Sequence, residues 1–146
     1  MCSSDLLNEQ SGFVRNIARS TSHVKHWFFL GCGVYYPVAM ESALKMKEVT
    51  YQHAEGMPAG FLKHGTLSMV ESALHTLFFV PPPEQKELHK RTLIAMEQVK
   101  SRGGTVIAII FKGDELAQKL ASQSIKLPVV TSLFAQIGRA SCRERV

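Results

Sequence analysis

The chain has 146 residues, 45% of them hydrophobic and 20% charged, which is enough for one folded domain with a hydrophobic core. No apolar run reaches the roughly 18 residues of a membrane span, and the first ten residues lack the basic and apolar parts of a secretory signal. Its three cysteines stand far apart, without the spacing of metal ligands. These features argue against a membrane protein and a disulfide framework, and we expect a cytoplasmic protein.

The formal charge of +5 does not indicate a nucleic-acid partner, because the end of the chain carries much of it. Three of the 17 basic residues and one of the 12 acidic residues lie in 137–146, so the remainder has a charge of +3. The string "IGRASCRERV" follows an apolar segment without a turn signal and resembles the in-frame translation of a sequencing adapter. We therefore expect 137–146 to be a non-native tail, with a native basic tail as the alternative, and 1–136 to be one incomplete domain.

Hydrophobic periodicity divides the chain into alternating helices and strands. In chain order it predicts a helix over 6–24, a strand over 25–33, a helix over 35–52, a loop over 53–65, a short helical turn or more loop over 66–71, a strand over 72–83, a helix over 84–104, a strand over 105–111, a short helix over 114–122 and a weak strand over 125–130. Continuously apolar strands between helices indicate an α/β protein, a three-layer α/β/α sandwich with a parallel sheet. Ligands of such sheets bind beyond the carboxyl ends of the strands.

A stripe of charged side chains marks the second predicted helix. At 100° per residue, Lys45 lies about 40° from Glu41 and Glu48 about 20° on the other side, so the three share one face. Pattern alone favours a solvated face with ion pairs between residues one turn apart. The helix follows the first strand, where α/β proteins bind ligands, and this keeps a functional site open as the other interpretation.

Histidines in the following segment are weaker candidates. His64, in a glycine-containing loop, is either a surface or capping residue or a proton-transfer group. His53 and Glu55 have the H-x-E spacing of metal ligands, but further ligands are lacking nearby, and we expect no metal. The turn "GCG" over 31–33 lacks the third glycine of a dinucleotide site, so we expect a tight turn there, or a close approach of the backbone to a sugar or phosphate.

The segment "YYPVAMESALKMKEVTYQHAEGMPAGFLKHGTL", residues 35–67, resembles the second sugar-isomerase (SIS) domain of the glucosamine-6-phosphate synthase family, also called glutamine–fructose-6-phosphate aminotransferases (isomerising). The family pattern is approximately YP-x-A-x-E-G-A-L-K-x-K-E-x-x-Y-x-H-A-E, followed shortly by G-E-L-K-H-G. Weaker similarity in the order of elements runs from about 6 to 135. The resemblance implies a flavodoxin-like SIS fold, truncated at its carboxyl end, and a chemistry without cofactors.

The resemblance also implies roles for four residues. Glu48 matches the base that moves a proton between C1 and C2 of the fructosimine intermediate, and Lys45 matches a lysine near the reacting end of the sugar. Glu41 matches an acid that supports the site. His64 matches the histidine of sugar-ring opening, which is donated across a dimer interface. Such proton transfers need a carboxylate held close to carbon and a positive charge near the developing anion.

Three departures from the family pattern are visible. Ser42 stands where the family has glycine, Cys32 where it has arginine, and Phe61 where it has glutamate. The implied partners are fructose 6-phosphate or glucosamine 6-phosphate, a first SIS domain with the phosphate-binding loop, a glutaminase domain and a second copy in a homodimer, with no nucleic acid and no membrane. Those domains and a closing lysine tail are absent from the 146 residues, so we expect the chain to be inactive alone.

Two other functions remain open at the level of sequence. One is another enzyme with two SIS domains, a deglycase or a ketose–aldose isomerase, which would need no source of ammonia. The other is a regulatory SIS domain that binds a sugar phosphate without catalysis. The presence of both Glu48 and His64 argues against the regulatory alternative, since binding alone requires no acid and base.

Overall fold

The computed structural model describes residues 3–128 as alternating helices and strands. The four α-helices are α1 (Ser3–Ser20), α2 (Tyr36–Thr50), α3 (Lys86–Ser101) and α4 (Glu115–Leu120). The five strands are β1 (His26–Gly31), β2 (His53–Pro58), β3 (Leu74–Phe79), β4 (Thr105–Phe111) and β5 (Gln123–Leu127). Short 3₁₀ helices cover Gly33–Tyr35, Ala59–His64 and Thr66–Met69. The predicted tail, 137–146, lies outside the described residues.

All neighbouring strands of the sheet run parallel, in the order β2-β1-β3-β4-β5. This is the strand order of flavodoxin-like folds, in which the chain reverses its direction of winding between β1 and β3. The predicted parallel α/β sandwich is therefore confirmed. Among residues 3–128, no helix is both long and apolar enough to cross a membrane.

Each face of the sheet is covered by its own hydrophobic core, which makes three layers. On one face, Phe28, Leu30 and Phe78 pack with Met96 and Val99 of α3. On the other face, the alternate residues of the same strands pack against α2 and α1. This second core contains Trp27, Phe29, Ala39, Ala43 and Phe79, with Ile17 partly buried beside it. Because successive residues of a strand point to opposite faces, one strand supplies both cores.

Helix α2 begins at Tyr36, one residue after the predicted start, and buries one face against the sheet. Pro37 lies in the first turn, where the missing N–H has no partner to lose, and Ala39 and Ala43 are buried against the sheet. The helix ends earlier than predicted, because Tyr51 adopts φ 58° and closes it at Thr50. Gln52, which lies beyond this end, accepts a hydrogen bond from Trp27 Nε1 at 2.9 Å.

The predicted loop over 53–65 is wrong in its first half, where the structure has the edge strand β2. Gly56 favours a loop in the sequence, but its lack of a side chain allows the backbone of α2 to approach the strand closely. A Cβ at Gly56 would lie 2.5 Å from Met40 Cα. Pro58 is the last residue of this edge strand, where a missing N–H donor is tolerated. The segment 66–71 does contain the short helical turn that the sequence allowed, over Thr66–Met69.

Candidate active site

The charged stripe of α2 forms a compact cluster in which one ammonium group lies between two carboxylates. Lys45 Nζ is 2.6 Å from Glu48 Oε2 and 3.8 Å from Glu41 Oε1. Their side chains keep 41–49% of their surface exposed. The helical spacing of i, i+4 and i+7 brings these side chains together, as the sequence predicts. The cluster offers a carboxylate that is paired with a lysine and that solvent or a ligand can reach.

Large apolar side chains are exposed next to this cluster. Met40 and Leu44 are 49% and 42% exposed on α2, and Val49 is 75% exposed. Burying such side chains is favourable by roughly 25 cal/mol per Å² of apolar surface. The outer face of α2 therefore combines charged groups with apolar surface, a composition typical of a face that another protein segment covers.

The cluster does not lie at the carboxyl edge of the sheet. Helix α2 begins beside the carboxyl end of β1, as predicted, and runs back toward the start of β2. Glu48 comes 12 residues after Tyr36, which corresponds to about 18 Å along the helix. The stripe thus extends down the outer face of the helix, away from the crevice between β1 and β3.

His64 lies in a different layer of the molecule from the α2 cluster. It ends the 3₁₀ helix Ala59–His64, whose Ala59 and Leu62 pack in the core that α3 covers. The imidazole is exposed, and its edge contacts the ring of Phe61, with centroids 5.6 Å apart. The fold therefore brings Glu41, Lys45 and Glu48 together and leaves His64 on the opposite face of the sheet.

The glycine turn after β1 is tight for a steric reason. A Cβ at Gly31 would lie 2.4 Å from the backbone oxygen of Tyr35, and Gly33 has φ +56°. Cys32 lies between them and is buried in the core that α3 covers. Where the family pattern has arginine, this chain therefore has a small apolar side chain. Ser42, the second departure, donates its hydroxyl hydrogen to the Val38 carbonyl oxygen at 2.8 Å. The substitution at 42 is accommodated within the helix itself.

Metal-ligating side chains do not form a larger group in the described part of the chain. His53 and Glu55 both lie on β2, where residues two apart share a face. Within residues 3–128, no three or more His, Cys, Asp or Glu side chains are placed to hold one metal ion.

The structure contains a buried pair of ionisable residues that the sequence pattern does not indicate. His89 Nε2 lies 2.8 Å from Asp114 Oδ2, and both side chains are more than nine-tenths buried. Asp114 Oδ1 also accepts a hydrogen bond from Ala117 N and so caps α4. The pair links the first turn of α3 to the start of α4. Only the position of Asp114 just before a short helix was a visible signal, since a capping aspartate is common there.

Solved structures with the same fold include sugar-phosphate enzymes. The C-terminal domain of glucosamine-fructose-6-phosphate aminotransferase from Francisella tularensis superimposes with a TM-score of 0.70 at 36% identity, covering 83% of this chain and 33% of that one. Tagatose-6-phosphate ketose/aldose isomerase from Escherichia coli superimposes with a TM-score of 0.65 over 95% of this chain and 39% of that one. Its identity is 21%, so this second likeness shows the fold alone.

Two curated sequence relatives carry the same name. Glutamine–fructose-6-phosphate aminotransferase (isomerizing) from Streptomyces coelicolor is 39% identical over 122 residues, which are 83% of this chain and 20% of the relative. The protein of the same name from Leifsonia xyli subsp. xyli is 38% identical over 127 residues, 86% of this chain and 21% of the relative. The chain thus spans about one fifth of the length of these relatives.

A family model described as the SIS domain matches residues 21–141. The match includes the whole sheet, the charged cluster of α2 and His64. The chain belongs to the SIS domain family.

Proposed function

We propose that the chain is part of the isomerase half of a glutamine–fructose-6-phosphate aminotransferase. In this proposal the parent protein makes glucosamine 6-phosphate from fructose 6-phosphate and ammonia derived from glutamine. The observation that carries it is the cluster of Glu41, Lys45 and Glu48 on one exposed helix face. The chain that bears it is 38–39% identical to enzymes of that name over most of its length.

In the proposed mechanism Glu48 is the base. Its carboxylate removes a proton from C1 of the fructosimine, and the electron pair of that C–H bond forms the C1–C2 double bond. At the same time the π electrons of the C2–N double bond move to the protonated nitrogen, which becomes the amino group of an enolamine. Return of the proton at C2 and loss of the C1 hydroxyl proton give the aldehyde of an aldose. A base for this step needs an accessible carboxylate, and Glu48 is 49% exposed.

Lys45 and Glu41 support this proton transfer in the proposal. With Nζ at 2.6 Å from Oε2, Lys45 donates a hydrogen bond to the Glu48 carboxylate and supplies positive charge near the developing anion. Glu41 lies on the far side of the ammonium group at 3.8 Å and restrains its position. Lys45 therefore has a catalytic role, and Glu41 is a positioning residue.

Ring opening by His64 requires a second polypeptide segment in this proposal. His64 and Glu48 belong to elements on opposite faces of one sheet, so a sugar bound at Glu48 meets the His64 of another copy. The exposed Met40 and Leu44 beside the cluster provide apolar surface that a neighbouring domain would bury. We accordingly expect catalysis only in the parent protein, as a dimer whose first SIS domain supplies the phosphate site.

A graft tests the proposal directly. Residues 21–128 replace the matching segment of the Streptomyces coelicolor relative, and formation of glucosamine 6-phosphate from fructose 6-phosphate and glutamine is measured. We expect activity from the graft and its loss, by about 100-fold or more, in Glu48→Gln. The matched control is Glu97→Gln, an exposed carboxylate on α3, which should keep full activity. A folded, active graft that tolerates Glu48→Gln would contradict the assigned base.

A further inference from the structure

A pair of histidines at the amino edge of the sheet lies outside the proposed active site. His26 and His53 are the first residues of β1 and β2, and the parallel register places them directly opposite each other. The two positions share the sheet face that α3 covers, the face to which Phe28 and Met57 also point. The ring centroids are 5.6 Å apart, with the ring planes at 58°. Two imidazoles that are 27 positions apart in sequence thus become neighbours.

A cavity opens beside these two rings. It has a volume of about 190 Å³ and is lined by His26, Phe28, His53, Met69, Glu71, Ala73 and Leu74. Both histidines are exposed, and within residues 3–128 neither imidazole makes a hydrogen bond. Their ring nitrogens are therefore available to a ligand, and Glu71 is the acidic residue in the same wall.

We propose that His26 and His53 bind a divalent transition-metal ion of the zinc class in this cavity. Imidazole nitrogen is a preferred ligand for zinc, copper and nickel, whereas magnesium and calcium prefer oxygen ligands. Adjacent strands lie about 4.8 Å apart, which lets two imidazoles on the same face converge on one ion. Two protein ligands leave the other positions to water, so the site is weaker than a structural zinc site with four protein ligands.

Glu71 contributes electrostatically in this proposal. A carboxylate in the cavity wall attracts a cation, and the rest of the wall, with Phe28, Met69 and Leu74, is mainly apolar. The ion would join the edge strand β2 to β1 at their first residues. The site is independent of the proposed sugar chemistry, because the Glu48 cluster lies on the outer face of α2, in the opposite layer.

Calorimetric titration of zinc into the full chain tests this proposal. Cys2→Ser and Cys142→Ser form the reference background, because thiols also bind zinc. We expect one saturable site per chain, with magnesium giving no heat. His26→Gln and His53→Gln should each weaken zinc binding by about tenfold or more, since each removes one of two ligands.

His23→Gln is the matched control, because His23 forms the other contact between two histidines, with His75. Those rings are 6.3 Å apart at 87°, and His75 Nδ1 is buried, so His23→Gln removes an imidazole that lies outside the proposed site. Zinc should also raise the melting temperature of the reference chain and not that of His26→Gln. The proposal is overturned if no saturable binding occurs, if folded His26→Gln and His53→Gln bind zinc as the reference does, or if His23→Gln causes an equal loss.

Discussion

Lys45 and Glu48 form a close ion pair, with Nζ 2.6 Å from Oε2, on a surface where both side chains remain more than two-fifths exposed. Exposed pairs of this kind contribute about 0–1 kcal/mol to stability. We therefore expect Lys45→Met to change the free energy of unfolding by less than about 1 kcal/mol in urea denaturation. In the grafted enzyme the same change should abolish glucosamine 6-phosphate formation. Lys47→Met, on the same helix, is the control, and a large loss of stability in Lys45→Met would show a structural role instead.

Glu48 and His64 lie in different layers, which predicts complementation between inactive copies. Grafted Glu48→Gln and grafted His64→Asn should each be inactive as homodimers. When the two are unfolded together and refolded, about half of the dimers are mixed and hold one intact site, on the statistics of a symmetric dimer. About a quarter of all sites are then intact, so we expect roughly a quarter of the original total activity to return. Activity that stays absent in demonstrated mixed dimers would place both residues in a single chain's site.

Gly56 is expected to tolerate no side chain, because α2 crosses β2 at this residue. An added Cβ would lie 2.5 Å from Met40 Cα and 3.0 Å from the Ala39 carbonyl oxygen. We expect Gly56→Ala to lower the free energy of unfolding by about 1–3 kcal/mol, the usual cost of overpacking. Gly60→Ala is the control, since nothing lies within 4 Å of a Cβ there. Equal unfolding midpoints in urea for the two variants would contradict the close contact.

The buried pair of His89 and Asp114 should contribute to stability more than the exposed pair on α2. His89→Leu leaves the Asp114 Oδ2 atom buried without its partner, which costs about 1–3 kcal/mol. Asp114→Ala also removes the cap of α4. The two single changes should not be additive in a double-mutant cycle, because they break the same contact. Glu115→Gln, beside the cap and exposed, should leave the urea midpoint in place.

Because of His75, we expect the folded chain to lose stability as the pH falls below 6.5. Burial, and to a lesser extent the neighbouring His23, lowers the pKa of His75 below 6.5. As the pH falls through 6.5 the unfolded chain takes up this proton before the folded chain does, so the free energy of unfolding falls. The stability that comes from keeping His75 neutral is fully present above pH 6.5.

Urea denaturation of His75→Leu at pH 7.5 and pH 5.5 checks this expectation. The difference in stability between the two pH values should be smaller than in the unaltered chain. His23→Gln should reduce this difference in stability less, because it removes only the secondary cause of the lowered pKa of His75. An unchanged difference in His75→Leu would assign the acid sensitivity to other groups.

The parts of the fold that sequence predicts best are those whose local pattern and tertiary environment agree. Strand β4 is apolar at nearly every position, and α3 has a clear apolar face and a double glycine at its end. Strand β2 fails this test, because its Gly56 and Pro58 are loop signals until the neighbouring helix is known. In α3 the helical spacing of Leu88, Leu93, Met96 and Val99 indicates an apolar face, but the structure also buries the polar residues His89 and Thr92.

The candidate site shows the same division. Spacing within one helix is enough to bring Glu41, Lys45 and Glu48 together, because they lie within two turns. The position of His64 depends on which layer the Ala59–His64 segment joins, and periodicity carries no information about that. The contacts between His26 and His53 and between His89 and Asp114 join residues 27 and 25 positions apart, so only the assembled sheet and its helices bring them together.

The contact between Gly56 and Met40 also fixes how the edge strand can align during folding. Strands β1 and β2 are paired over six residues each, from His26 opposite His53 to Gly31 opposite Pro58. A slip by one residue would turn every β2 side chain to the other face of the sheet. The carboxylate of Glu55 or the long side chain of Met57 would then meet the backbone of α2 where only glycine fits. Once α2 has docked, a one-residue slip of β2 is therefore excluded sterically.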